Sequence, residues 1–136
     1  MIVVDCCVAM SWVAAQSPED EDYGGRVAQL GMQDERLLIA PTIMPVECCH
    51  ALLRRSRRER WSRSRLMSAT ELIRQHGVRL RRELKDMAGH ARFALEHNVQ
   101  GDDALYLSLA IKTGASLATM DKGLRAAAAR FNVPIF

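Results

Sequence analysis

The sequence predicts an α/β fold, with a parallel sheet covered by helices on both faces. Three observations carry that expectation. Short, almost wholly apolar runs at Met1–Val4, Leu37–Ala40 and Ser116–Thr119 alternate with longer helical patterns, as buried parallel strands and crossover helices require. A chain of 136 residues, 49% of them apolar, suits one domain (1–136) around one core. Four acids, Asp5, Glu47, Asp103 and Asp121, fall where the chain changes direction. In a parallel sheet, sites form outside the carboxyl ends of the strands, at the point where the strand order reverses.

In chain order, a strand is expected at 2–5 and a helix from about 8 to 15. The stretch Ser17-Pro18-Glu19-Asp20-Glu21-Asp22 reads as an acidic loop. A helix from about 21 to 33 is weakened by Gly24, Gly25 and Gly31, because glycine costs helix stability. Leu37–Ala40 reads as a buried strand closed by Pro41. Helices follow at about 44–59 and 62–75, and Gly77 ends the second. Val78-Arg79-Leu80 is a short strand. Helices at about 83–97 and 102–113 stop at Asn98 and Gly114, residues that tolerate the left-handed conformation at a helix end. A strand at 116–119, a helix at about 122–131 and a strand at 133–135 complete the chain.

Each acid has a structural role to set against a functional one. Asp5 is a candidate N-cap, but an acid directly after a buried strand is otherwise costly, which favours a site. Glu47 complements the dipole of its own helix equally well, and lies beside a buried stripe marked by Val46, Cys49 and Leu53. Asp102 and Asp103 open a helix that is apolar nearly all round, and two acids exceed what one cap needs. One caps and the other enters a site. Asp121, before Lys122-Gly123-Leu124, reads equally as an N-cap. Four converging carboxylates would repel one another unless a hard cation filled the pocket. Glu47 and His50 form a Glu-x-x-His pair of the di-iron kind, but no second pair exists to complete it. Nucleophile elbows and glycine-rich phosphate loops are absent.

No apolar run spans a bilayer and no leader pattern opens the chain, so a cytoplasmic protein without membrane association is expected. The neighbouring pairs Cys6-Cys7 and Cys48-Cys49 lack zinc-knuckle spacing and read as small buried hydrophobes. Residues 1–49 carry two basic against eight acidic side chains, net −6, whereas residues 50–100 carry thirteen against five, net +8. Arg54, Arg55, Arg57 and Arg58 lead the basic run that continues from the helix of Glu47, and arginine gives bidentate contacts to phosphate. They read as a surface for a polyanion or an acidic partner, ahead of a merely solvated helix end. Trp61 reads as a plug at a helix–helix corner in preference to a base-stacking platform.

Four segments together resemble the PIN-domain ribonucleases of the VapC toxin type, over nearly the whole chain. They are Ile2-Val3-Val4-Asp5 with Val8–Trp12, Ala40-Pro41 through Pro45-Val46-Glu47, Asp103–Ala110, and Leu117-Ala118-Thr119-Met120-Asp121-Lys122-Gly123-Leu124. The resemblance implies a PIN-like three-layer sandwich, a central parallel sheet flanked by helices. It implies catalytic, metal-holding acids at Asp5, Glu47, Asp103 and Asp121, with Thr119, Asp102 and Cys7 around them. It further implies Mg2+ or Mn2+, an RNA substrate such as tRNA or ribosomal RNA, a homodimer, and a VapB-type antitoxin that blocks the site. Such a cation would lower the pKa of a water and orient it for in-line attack on a phosphodiester. Two departures stand out: Cys7 where many relatives carry Ser or Thr, and Asp102 where many carry Tyr. Activity is expected to survive them with altered metal affinity. They also motivate the alternative of a non-catalytic PIN-like module that binds RNA or a protein. A DNA-cleaving phosphoesterase would use the same acids.

Overall fold

A computed structural model of the protein describes residues 1–83 and 85–136. The elements are β1 (Ile2–Val4), α1 (Cys6–Ala14), α2 (Pro18–Gln33), β2 (Leu38–Pro41), α3 (Met44–Glu59), α4 (Arg63–Gln75), β3 (Arg79–Arg81), α5 (Met87–His97), α6 (Asp103–Thr113), β4 (Ser116–Ala118) and α7 (Lys122–Arg130). The four strands form one all-parallel sheet in the order β3-β2-β1-β4. The order reverses at β1, so the crevice between the ends of β1 and β4 is the topological switch point. The α/β expectation is met.

Alternation along the strands makes the layers. Val3, Ile39 and Leu117 face a large cluster that includes Cys48 and Leu52 of α3, Ile73 of α4, Tyr106 and Leu107 of α6, and Leu124 of α7. Ile2, Val4, Leu38 and Ala118 face the other way, onto Val8 of α1 and Tyr23 and Val27 of α2. Because β strands place successive side chains on opposite faces, three or four residues per strand suffice to feed both layers.

Several local expectations are corrected. Helix α1 starts at Cys6, directly after the first strand, and not near residue 8. The acidic stretch after Ser17 is not a loop. Ser17 caps α2 by accepting from the Asp20 amide at 3.1 Å, Pro18 fills the first turn, and Glu19, Asp20 and Glu21 sit at the positive end of the helix dipole. The buried stripe of α3 is Met44, Cys48, Leu52 and Ser56, whereas Val46 and Cys49 are exposed. Helical phase was set one position away from the expected stripe. Cys49 is therefore no buried hydrophobe, although Cys48 is, with its sulfur 3.6 Å from that of Cys6. The third strand falls one residue later than expected and is an exposed edge. Helix α5 opens at Met87, with Asp86 accepting from the Gly89 amide at 2.7 Å. The part of the expected 83–97 helix at residue 84 lies outside the described residues. The expected last strand is reduced to a bridge between Leu117 and Ile135. Trp61 is half-buried against the main core with the Arg65 guanidinium 4.3 Å from its ring, a corner residue between α3 and α4.

The glycines of α2 are not only a weakness. A Cβ on Gly24 would sit 1.9 Å from Ser11 Oγ, and Trp12 Nε1 donates to the Gly24 carbonyl at 2.9 Å, so this glycine lets α2 approach α1. Gly25 has open space around it and is exposed. Gly24→Ala is accordingly expected to destabilise the fold by about 1–3 kcal/mol through overpacking. Gly25→Ala should stabilise it by about 0.5–1 kcal/mol through helix propensity. Paired urea melts measure both, and equal effects would disprove the close-approach account.

Candidate active site at the switch point

Asp5 leaves the end of β1, and its backbone amide donates to the Ala118 carbonyl of β4 at 3.0 Å. It occupies the N-cap position of α1, yet its side chain makes no cap bond. Its carboxylate turns instead to the end of β4. Thr119 Oγ1 donates to Asp5 Oδ2 at 2.6 Å, and Cys7 Sγ donates to the same oxygen at 3.0 Å. Thr119 is wholly buried and also accepts from the Asp121 amide at 3.0 Å, while Cys7 accepts from the Met120 amide at 3.2 Å. The two strand ends are thus tied through the one carboxylate. Burial pushes the Asp5 pKa up, against the lowering effect of the Thr119 and Cys7 bonds. The Cys7 thiol is pushed up to about 12 by burial and by Asp5, and stays protonated at neutral pH.

Glu47 lies in the first turn of α3 and accepts a hydrogen bond from the Tyr106 hydroxyl of α6. Its pKa is raised by burial and by the neighbouring charges of Asp102 and Asp5. Asp103 opens α6, half-buried, and its carboxyl is raised to about 6 by burial and then by Asp102, Asp5, Asp121 and Glu47. Asp102 and Asp121 thus lie close enough to act on the three raised carboxyls, Asp5, Glu47 and Asp103. Asp102 accepts from the Asp103 amide at 3.1 Å and is exposed, so it is the capping member of the pair while also facing Glu47. Asp121 serves as the N-cap of α7, accepting from the Leu124 amide at 2.7 Å through Oδ1. For Asp121 capping and facing the acids are not exclusive, since a carboxylate has two oxygens. Among the described residues, no three acid, histidine or cysteine side chains already meet in ligand geometry.

Tyr106 was not singled out in the sequence. Its signal was present, since it lies three residues after Asp103 and so on the same face of the helix. Arg125 was also missed; its Nε donates to the Thr119 carbonyl at 2.7 Å and secures the turn after β4. A cavity of about 670 Å³ runs from Cys7 and Asp121 between α1 and α3 to Arg54, Arg55 and Arg58. Arg55 is committed locally, paired with Glu59 and donating to the Ala14 carbonyl at 3.3 Å. Arg57 does not line the cavity.

The family model of the PIN domain matches residues 2–130. The chain belongs to the PIN-domain family. Its fold is also that of the crystal structure of PAE2754 from Pyrobaculum aerophilum, with a TM-score of 0.69 at 19% identity over 93% of this chain and 78% of that one. The search of curated proteins finds no match. No helix of this PIN domain, among the described residues, is long and apolar enough to cross a membrane.

The donor set of this PIN domain fits a hard divalent cation. Every carboxylate offered is an oxygen donor, the Cys7 sulfur that touches Asp5 holds its proton, and the acids carry charge that they cannot neutralise among themselves.

Proposed function

We propose that this PIN domain is a metal-dependent endoribonuclease of the VapC toxin type, inhibited by a cognate VapB-type antitoxin. The observation that carries the reading is the gathering of Asp5, Glu47, Asp102, Asp103 and Asp121 at the switch point, where burial first and neighbouring acids second raise the carboxyls of Asp5, Glu47 and Asp103. Such clustering of carboxylates costs stability by itself and has a reason if a cation belongs there. Mg2+ or Mn2+ held by Asp5, Glu47, Asp103 and Asp121 would supply Lewis acidity toward a phosphodiester and an activated water.

The chain's own part is to hold these carboxylates still. Thr119 and Cys7 fix Asp5 from the β4 side and from α1. Tyr106 fixes Glu47, and the α7 cap fixes Asp121. Such preorganisation removes the reorganisation that an aqueous site would need. The toxin assignment, the homodimer and the choice of tRNA or ribosomal RNA rest on the resemblance of the four segments.

The test is incubation of purified protein with total cellular RNA and with DNA, in Mg2+, in Mn2+ and in EDTA. Discrete cleavage of RNA that stops in EDTA and returns with excess Mg2+ is expected. RNA bound but uncut in either metal would assign the chain to the non-catalytic reading, and equal cutting of DNA to a general phosphoesterase. Expression without antitoxin should arrest growth. An adjacent gene for a small DNA-binding protein that co-purifies with this chain would identify the antitoxin.

A further inference from the structure

The cavity that leaves the acids is shaped and charged as a track. Along α3, Glu47, Ala51, Arg54 and Arg58 are spaced by four, three and four residues, so they lie within about 40° of one line on the helix surface. The same face that brings Glu47 to the acids therefore brings Arg54 and Arg58 to the cavity wall. The rise of the helix places them about 10 Å and about 16 Å beyond Glu47. Met10 and Ala51 make an apolar floor between, and Asp121 stands at the near end. Among the described residues neither Arg54 nor Arg58 has an acid within 4.0 Å, although Arg55 does. Among the described residues, Asp20 and Asp121 are the carboxylates that line the cavity. Arg57 is about 80° away from the line, outside the cavity.

We propose that the groove between α1 and α3 guides a single RNA strand away from the cleavage point, with Arg54 and Arg58 each holding one phosphate of that strand. This rests on the nuclease reading for the position of the scissile bond and deepens it by dividing the arginine run into two residues that touch substrate and two that do not. The separations correspond to about one to three nucleotides of extended backbone, the reach of a groove that tracks a single strand. A volume of 670 Å³ holds a short piece of one strand lying on Met10 and Ala51. Two uncommitted guanidinium groups in line are a fork for phosphate, and their charge matches a polyanion and not a basic protein segment.

Binding of a fluorescent twelve-nucleotide single-stranded RNA in EDTA, over a range of salt, tests the proposal with Arg54→Gln, Arg58→Gln and Arg57→Gln. Each phosphate contact on a single strand contributes about 0.7 to the slope of log K against log salt. Arg54→Gln and Arg58→Gln should each weaken binding about three- to tenfold and lower the slope by about 0.7. Arg57→Gln should stay within about twofold with the parent slope. An equal loss with Arg57→Gln, or unchanged slopes for both groove variants, overturns the guide. So does a parent with no salt-dependent affinity, which would give the groove to a protein segment, or tighter binding of the duplex. Cleavage in Mg2+ is scored on the same preparations. If the slopes separate as expected but nothing is cut, the nuclease reading fails and the guide stands; if RNA is cut while all three variants lose binding alike, the guide alone fails.

Discussion

Asp103→Asn is expected to reduce metal-dependent RNA cleavage by about a thousandfold or more, equivalent to about 4 kcal/mol of transition-state stabilisation, and at the same time to make the metal-free protein more stable. The two effects have one cause. Burial, and then the neighbouring Asp102, Asp5, Asp121 and Glu47, push the Asp103 carboxyl up to about 6 from its ordinary 3.8. A carboxyl raised on folding favours the protonated folded state. Its contribution is present in full below about pH 4 and is lost as the pH climbs toward 6. At neutral pH the metal-free parent carries a penalty of roughly 1–2 kcal/mol, after allowance for solvent screening of a half-exposed group. Asparagine has the same shape and no charge, so the penalty disappears along with a ligand. The melting temperature of Asp103→Asn should therefore match the parent near pH 4 and exceed it by roughly 3–8 °C at pH 7 without metal. Mg2+ should close the gap by raising the parent. Thermal melts across this pH range, with and without Mg2+, measure it. A gap that does not depend on pH would remove the electrostatic argument, and undiminished cleavage would remove Asp103 from the site.

Thr119→Val should cost about 2–3 kcal/mol of stability and about ten- to a hundredfold in cleavage. Valine fills the same space, so packing is preserved and the hydroxyl alone is lost. That hydroxyl is wholly buried and makes two bonds, donating to Asp5 Oδ2 and accepting from the Asp121 amide. Without it, a carboxylate only 8% exposed keeps Cys7 as its remaining side-chain donor, and a backbone amide in the turn after β4 loses its partner. Leaving buried polar groups unmade costs more than the bond itself contributed. Thr119→Ser separates the two roles, since it keeps the hydroxyl and sheds a methyl group. It should retain most activity at a stability cost of about 1 kcal/mol. If valine and serine variants behave alike, Thr119 acts by packing and not by holding Asp5.

Much of this arrangement was legible in the sequence. The strands expected at 2–5, 37–40 and 116–119 lie within a residue of those observed at 2–4, 38–41 and 116–118, because a parallel strand buried on both faces has a local signature. The acids at the ends of those strands were visible for the same reason. Misreadings came where two patterns compete over one or two residues. Val46, Cys49 and Leu53 have the spacing of a buried stripe, yet Cys48 and Leu52 face the core and Glu47 meets Tyr106. Ser17-Pro18 is a helix-start signal, and it outweighs the loop-like composition of the acids that follow it.

Chain order and composition, then, determined the elements, the parallel sheet and the set of acids delivered to its carboxyl edge, since each of these depends on residues adjacent in sequence. Tertiary structure decided which side chains meet. Thr119 and Asp5 are 114 positions apart, and Tyr106 and Glu47 are 59 apart, and they touch only because β4 lies beside β1 and α6 packs near α3. The division of one arginine run into groove and surface is of the same kind. A helix turns about 100° per residue, so neighbours in sequence face different surroundings, and only the placement of α1 against α3 determines which of them line the groove.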